Sequence, residues 1–446
     1  MFRVLIPFIL FASDAFPQSP GTNTSLSEKY FHFRERLVNE FTLGIGNDFG
    51  QSIPASVRKT FDRNYSNEHT ISWGDATIDL AYYIGTLATE YALLSKQEKP
   101  ASQTLKELYY ALEAFNRLDY YAEEYYGYPP SLNGFFVRND VGRDLFRDKR
   151  KNNKYHVALK ILNEGSSDSL NNIESEWTGY YLHNNLKRFA VSKDQVFHLM
   201  VAMALIVKCI PSGENYPEHK FKDGEASFVQ EAKNITDRMM NWIHPINKSN
   251  IFFNWRVSKP NGKKTGAGYN AWSFAYGMNL GQQKISGTEN PVKKGFSWWL
   301  AKAVYNITWL AFKPIYFFNR SEGVKTLSLA AISNSCVENA DKLYRYSFFS
   351  EKYPSYHIPL LYGYLYNKIT KQPDLSLYKK LLEEVPVEGP HNRRFAGFSN
   401  YNWSSTSLII HPERRGQAQA FFPGNYNAID FMFMYNLYLL CSNESY

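Results

Sequence analysis

Five segments of this chain are apolar on nearly every side of a helix, and this pattern restricts the fold more than any other feature. A helix that is apolar all round is enclosed by other parts of the protein rather than exposed on its surface. The five segments span residues 74–94, 194–210, 270–282, 355–366 and 427–440. Two more mixed segments, 104–123 and 325–346, could complete a set of enclosed helices.

A second group of helical segments is amphipathic, with charges recurring along one side. These segments span residues 27–41, 224–243 and 375–384, with 297–312 as a more apolar member. The two kinds alternate along the chain, so neighbours are expected to pair with one helix inside and one outside. Repeated pairing of this sort builds either an open solenoid or a closed ring. No motif repeats at a fixed spacing, and about six enclosed candidates match a closed ring.

This layout resembles the (α/α)6 toroid shared by many glycoside hydrolases and polysaccharide lyases. The resemblance is one of architecture rather than of a diagnostic motif, and it covers most of the chain. It implies an all-α fold, a single toroid domain over residues 23–446, and a carbohydrate-binding cleft. Long segments rich in Gly, Pro, Asn and aromatic residues are expected to be ordered loops; they span residues 125–153, 166–190, 247–269 and 385–426.

The N-terminus is typical of a signal peptide. A basic residue, Arg3, precedes the apolar run 4–11, and small residues follow at Ala12, Ser13 and Ala15. Residues 1–22 are therefore interpreted as a signal peptide and lead-in, and the protein is expected to be secreted or periplasmic. Three cysteines allow at most one disulfide.

The segment 296–318 is apolar enough to test as a membrane span, but Lys302, Asn306 and Lys313 interrupt it. A packed helix is therefore expected there, with no integral membrane span. The formal net charge of +8 is compatible with solvated basic loops, an acidic polysaccharide, an anionic membrane surface or nucleic acid. Export argues against nucleic acid, so a polysaccharide or oligosaccharide, possibly acidic, is the expected partner.

In a ring of helix pairs, the N-terminal ends of the enclosed helices can converge at one opening. These ends carry partial positive charge and free N–H groups, which favour acidic and amide side chains. Glycoside hydrolysis needs two carboxyl groups, one protonated and one ionised. We predict a catalytic pair drawn from Asp75, Asp140 and Asp194. Helix stabilisation by Asp75 and Asp194, and a loop salt bridge between Asp140 and its neighbour Arg138, are the structural alternatives.

Aromatic residues make up 17% of the chain, enough for packing the core and for stacking against sugar rings. The predicted substrate-binding residues lie mostly at helix starts or in aromatic loops. They are Trp73, Arg138, Gln195, His198, Asn270, Trp272, Tyr356, His357, Arg394, Trp403, Asn427 and Asp430. Three of these also have plain structural interpretations: Gln195 as part of a capping box, His198 as a core residue and Asn427 as a helix cap.

Two other functions remain open. A polysaccharide lyase would neutralise a uronic acid with Asn or Arg and remove a proton with Tyr or His; Asn270, Tyr356, His357 and Arg394 could serve. A noncatalytic glycan-binding protein would keep the aromatic opening without a working pair of acids. The chain has no phosphate-binding loop, no Gly-x-Ser-x-Gly, no His-Glu-x-x-His and no paired Cys-x-x-Cys, so no cofactor or metal is expected.

Overall fold

The computed structural model describes part of the chain in detail, mostly in helices. The described residues are 24–42, 57–59, 70–72, 76–137, 191, 193–243, 259–262, 278, 281–287, 299, 303, 360–361, 364–365, 374–383, 385, 387 and 425–446. Within these ranges the regular secondary structure is helical apart from one small sheet, as the sequence predicted. None of the helices in them is long and apolar enough to cross a membrane.

Seven α-helices can be delimited in the described part of the chain. They are α1 (Leu26–Arg36), α2 (Ala76–Lys96), α3 (Ser102–Tyr120), α4 (Lys193–Cys209), α5 (Phe228–Ile243), α6 (Leu375–Glu383) and α7 (Ile429–Ser442). A π-helical turn, Leu37–Phe41, extends α1, and a 3-10 turn, Glu124–Tyr126, follows α3. The described residues within the segments 270–282, 297–312 and 355–366 are also helical, while 325–346 lies outside the description.

Three of the helices predicted to be enclosed, α2, α4 and α7, pack side by side in parallel. On the α7 side, Asn427 contacts Asp79, Asn436 donates to the carbonyl of Thr86, and the two helix ends meet where Lys96 approaches Asn443. On the α4 side, the ring of Tyr82 contacts the ring of His198. Residue numbers therefore rise together along each helix pair, which places all three N-terminal ends at the same end of the bundle.

Gly85 sits where these three helices come closest. A Cβ atom on this residue would lie 2.9 Å from Phe433 of α7 and 3.1 Å from Leu205 of α4. Both neighbours are fully buried, and protein interiors leave little spare volume. The missing side chain is therefore what lets α2 lie against both partners.

The helices α3 and α1 run antiparallel to the enclosed set. Tyr83 and Glu90 of α2 bond to Glu107 and Thr104 of α3, respectively, so the numbering falls on one helix as it rises on the other. A connection that ends at Ser227 joins α4 to α5, and α5 packs on α4. Two αα-hairpins, α2–α3 and α4–α5, thus stand next to each other.

A three-stranded sheet links the starts of α2 and α7. Its central strand, β1 (Val57–Lys59), pairs antiparallel with β2 (Thr70–Ser72) and with β3 (Asn425–Tyr426). Ser72 and Tyr426 both lie opposite Val57. The two outer strands are therefore parallel and end at the same side, so the chain leaves the sheet towards α2 and α7 from one edge.

The helix α3 departs from the alternation of enclosed and amphipathic helices expected from the sequence. Residues 107–119 are buried without a break despite carrying several charges. Its acidic side chains are buried because partners reach them; Arg34 of α1, for example, bridges Glu107 and Glu90 at 2.8 Å each. The mixed segment 104–123 is thus enclosed, and α2 and α3 are consecutive enclosed helices.

Candidate functional site

Polar side chains gather where the N-terminal ends of α2, α4 and α7 meet. We call this group the N-terminal cluster; its members are Asp79, Tyr82, His198, Asn427 and Asp430. Asp79 and Tyr82 lie in the first two turns of α2, His198 in those of α4 and Asp430 in those of α7, while Asn427 lies just before α7. The parallel packing of the helices and the shared sheet edge place these residues together.

Asn427 joins α7 to α2 through both ends of its amide. Its Nδ2 donates to Asp79 Oδ1 at 2.8 Å, and its Oδ1 accepts the N–H of Ile429 at 3.1 Å. The second bond satisfies a free donor in the first turn of α7, as a cap does. Ala428 is the N-cap residue of α7, so Asn427 lies one residue before the cap rather than at it, and its side chain also holds the Asp79 carboxylate in place.

Tyr82 lies at the centre of the cluster. Its ring is 5.1 Å from that of His198 and 5.2 Å from that of Phe433, measured between centroids. Burial raises the pKa of Tyr82 well above its usual value, and the negative charges of Asp430 and Asp79 raise it further. Both carboxylates are thus close enough to act on this phenol, whose hydroxyl stays protonated and able to donate.

The helix ends favour negative charge at this position. Three parallel helices direct their partial positive charges to the end where Asp79 and Asp430 lie, each contribution amounting to about 0.3–1 kcal/mol and up to about 2 kcal/mol when partly buried. Asp430 also accepts the N–H of Phe431 at 2.9 Å. Both acids are nearly buried, with 4% and 5% of their surface exposed, so the ends of the helices replace part of their lost hydration.

Four predicted binding residues fall among the described side chains, and all four lie at the helix starts where they were expected. Asn427 and Asp430 belong to α7, while Gln195 and the half-buried His198 belong to α4. Asp194 occupies the first turn of α4 in the backbone. The remaining predicted residues lie outside the described residues: Trp73, Asp75, Arg138, Asp140, Asn270, Trp272, Tyr356, His357, Arg394 and Trp403.

Asp79 and Tyr82 are two members of the cluster that the sequence did not single out. They lie four and seven residues after Asp75, a spacing that places all three on one face of a helix. The predicted site residues were those at the first positions of each helix, whereas Asp79 and Tyr82 lie later in α2. The i, i+4, i+7 spacing of polar groups in an otherwise apolar helix was the signal available.

Within the described ranges, no three His, Cys, Asp or Glu side chains are grouped so that they could hold a metal ion. Cys209 and Cys441 carry free thiols. No protein-family model, curated protein or solved structure matches this chain.

The fold and the site together define a class of protein. It is a helical protein in which parallel enclosed helices bring two carboxylates, a phenol and an imidazole to a common end.

Proposed function

We propose that this protein is a secreted carbohydrate-active protein that hydrolyses glycosidic bonds in a polysaccharide or oligosaccharide at the N-terminal ends of its enclosed helices. The observation that carries the proposal is the convergence of Asp79 and Asp430 on Tyr82, from helices more than three hundred residues apart in sequence. Two carboxylates, an aromatic ring and hydrogen-bonding amides at one position are the groups that glycoside hydrolysis uses.

The proposed architecture is a closed (α/α)6 toroid. Two adjacent αα-hairpins with α2 and α4 parallel are the repeating unit of such a ring. The last helix, α7, packs against α2 of the first hairpin, and α1 packs antiparallel on α7. An open solenoid separates the first and last repeats, because each repeat contacts only its neighbours. The contact between α7 and α2 therefore favours ring closure.

In this proposal the catalytic acids are drawn from Asp75, Asp140 and Asp194. Asp75 directly precedes α2 in sequence, and Asp194 lies in the first turn of α4, so the two acids belong to neighbouring helix starts. Asp79 and Asp430 are nearly buried and act as positioning residues. Their negative charges raise the pKa of a carboxyl group beside them, which supplies the protonated acid that departure of the leaving group requires.

Sugar binding is assigned to the aromatic and polar residues around the helix starts. Trp73, Trp272, Tyr356 and Trp403 serve as stacking platforms, since flat aromatic faces match the apolar faces of sugar rings. Gln195, His198 and Asn427 contribute hydrogen bonds. Arg138, Asn270, His357 and Arg394 complete the proposed binding set.

A polysaccharide lyase is the second candidate, and the contact between Tyr82 and His198 favours it, because this pair has the residue types of a lyase base. Two features argue against it. The raised pKa of Tyr82 opposes loss of its proton, and Asp79 and Asp430 would repel the carboxylate of a uronic acid. Hydrolysis of a neutral sugar meets neither obstacle.

The test is a screen of the purified chain against neutral and uronic-acid glycans. New reducing ends without unsaturated products would support hydrolysis, whereas unsaturated products would establish elimination instead. Binding without turnover would leave a noncatalytic glycan-binding protein and refute the proposed reaction.

Variants then assign the residues. Asp75→Asn and Asp194→Asn are expected to reduce kcat by at least about 100-fold, the scale of a lost general acid or base. Asp430→Asn is expected to keep turnover but to move the alkaline limb of the pH profile to lower pH. Glu35→Gln, which neutralises an exposed acid of α1, is the control. Unchanged kcat in both Asp75 and Asp194 variants would exclude them as the pair.

A further inference from the structure

A second group of acids lies between α3 and α5, away from the N-terminal cluster. We call it the α3–α5 acid cluster. It contains five carboxyl groups and one guanidinium: Glu113, Asp119, Glu123, Asp223, Glu231 and Arg238. Four of these acids are nearly or fully buried, and Asp223 is partly so.

Arg238 is the cation at the centre of the cluster. Its guanidinium lies 3.2 Å from Asp119, 3.2 Å from Asp223 and 3.3 Å from Glu231. It also donates to Asn116 Oδ1 at 2.5 Å. One positive charge is therefore shared among three carboxyl groups, and full ionisation of the cluster would leave a large uncompensated negative charge in a buried place.

Lys222 approaches the cluster from the connection before α5. Its backbone N–H donates to Glu113 Oε1 at 3.0 Å, and its ammonium lies 4.4 Å from the ring centre of Tyr120. Its charge lowers the pKa of Glu113 only partly against the effect of burial. Lys222 therefore does not offset the effect of burial on Glu113.

Two carboxyl groups of the cluster receive a donor on one oxygen. Arg238 Nη2 donates to Glu231 Oε1 at 3.3 Å, and Asn133 Nδ2 donates to Glu123 Oε1 at 2.7 Å. Among the described residues, no donor reaches buried Oε2 of Glu231 or of Glu123. A carboxylate oxygen without donors is costly to bury, whereas a protonated carboxyl group is far less so.

The cluster also holds the loop 131–137 against α5. The N–H groups of Asn133 and Gly134 donate to Asp119 Oδ1 at 3.1 and 2.8 Å, and Asn133 Nδ2 donates to Glu123 Oε1 at 2.7 Å. The backbone of Gly134 lies directly against the carbonyl of Arg238. Asp119, one of the acids that share Arg238, thus also anchors the loop, together with Glu123.

We propose that the α3–α5 acid cluster is a proton-operated latch, which holds loop 131–137 against α5 while Glu123 and Glu231 are protonated and releases it when they ionise. This latch is independent of the proposed carbohydrate activity. The groups that face it from each packed element are Tyr109, Glu113, Asp119 and Tyr120 of α3, Glu123 of the following turn, Lys222 and Asp223 of the connection, and Glu231 and Arg238 of α5.

The titration properties of the cluster support this assignment. Burial raises the pKa of Glu123 to about 8 and that of Asp119 to about 6, despite the hydrogen bonds each accepts. Burial also raises the pKa of Glu231 well above its usual value. An opened loop exposes Glu123 to water and returns its pKa towards 4.5. The closed state therefore binds more protons between about pH 4.5 and pH 8, and closure weakens as pH rises through that window.

The test is hydrogen exchange of the amides in loop 131–137 on the full chain from about pH 5 to about pH 9, expressed as protection factors. Wild-type protection is expected to fall by up to about tenfold per pH unit for each proton released on opening. Glu123→Gln keeps a neutral side chain of the same shape and is expected to flatten this dependence. Constant protection across the range, or an equal slope in Glu123→Gln, would refute the latch.

Two further measurements test the latch even if Glu123→Gln folds poorly. Infrared difference spectra of the wild-type chain are expected to show the carbonyl band of protonated carboxylic acids near neutral pH and to lose it at alkaline pH; absence of the band at neutral pH would overturn the proposal. Glu35→Gln, in which the lost acid is exposed on α1, is expected to leave both the band and the exchange profile unchanged.

Discussion

Replacement of Gly134 by alanine tests how tightly loop 131–137 is fixed to α5. Gly134 has a φ of +88°, and an added Cβ would lie 2.1 Å from the carbonyl oxygen of Arg238 and 2.5 Å from the N atom of Met239. Both are backbone atoms of a helix, which cannot rotate away as a side chain can. The positive φ alone costs about 1–2 kcal/mol for a residue with a Cβ, and the clash forces the loop off the helix.

Displacement of the loop also removes donors from Asp119. The N–H groups of Asn133 and Gly134 both bond to this fully buried carboxylate, and each lost donor to a buried acceptor costs about 1–3 kcal/mol. We therefore expect Gly134→Ala to lower the free energy of unfolding by about 4 kcal/mol or more, measured by denaturant titration monitored by circular dichroism.

Gly127→Ala is the matched control. Gly127 has a similar φ of +76°, but a Cβ there would meet nothing within 4 Å, so only the conformational cost of about 1–2 kcal/mol is expected. The difference between the two variants isolates the contact with Arg238. Equal destabilisation by both would show that the loop does not rest on α5 and would refute the reasoning.

Three other perturbations probe the core and the acid cluster. Arg34→Met leaves two buried carboxylates, those of Glu90 and Glu107, without their cation. We expect the free energy of unfolding, measured by chemical denaturation, to fall by about 3–5 kcal/mol. Adding Glu90→Gln and Glu107→Gln should restore stability if charge is the cause, and would not restore it if packing is the cause. Gly85→Leu overfills the contact of α2 with Phe433 and should cost roughly 1–3 kcal/mol; an unchanged unfolding midpoint would contradict the close approach. Glu123→Gln should be nearly neutral at about pH 5 and stabilising at about pH 8, because the raised pKa of Glu123 makes the wild-type chain lose stability as pH rises from 4.5 to about 8; thermal melts at both pH values decide this, and equal shifts at the two would count against it.

Helix positions could be predicted from the sequence because their signal is local. For the seven delimited helices, with the π-helical turn counted as part of α1, the predicted ends agree with the observed ones within four residues, the largest difference being the start of α5, at 224 predicted and 228 observed. The all-round apolar pattern also identified α2, α4 and α7 as enclosed. The helix α3 runs back against α2 before α4 begins, which allows α2 and α4 to be parallel, and the meeting of the N-terminal ends follows from the parallel packing.

The sequence offered segment 104–123 as a possible enclosed helix, and α3 is buried, but the partners of its charges could not be predicted because they are distant in sequence. Glu107 is neutralised by Arg34, which lies 73 residues earlier, and Asp119 by Arg238, which lies 119 residues later. A charged helix face viewed alone is typical of a solvent-exposed surface. Nothing near α3 in sequence indicates that arginines from two other helices will meet it.

The two groups of buried acids show what decides protonation in this protein, and this bears on the N-terminal cluster. Burial alone would raise the pKa of Glu90, yet Arg34, Thr104 and Tyr30 all donate to it and hold its pKa below the usual value. Glu123 is buried with a single side-chain donor, Asn133, and its pKa rises to about 8. The charge of Arg34, together with these donors, distinguishes Glu90 from Glu123.

The acids of the N-terminal cluster also accept hydrogen bonds. Asp79 accepts from Asn427, Asp430 accepts from the backbone of α7, and three helix N-termini add positive potential. Ionised carboxylates at this position would keep Tyr82 protonated and would raise the pKa of any acid placed just outside them. Asn427→Leu should lower the free energy of unfolding by about 1–3 kcal/mol, because it removes a donor from the buried Asp79 carboxylate. An unchanged free energy of unfolding in a denaturant titration would show that this bond does not hold α7 against α2.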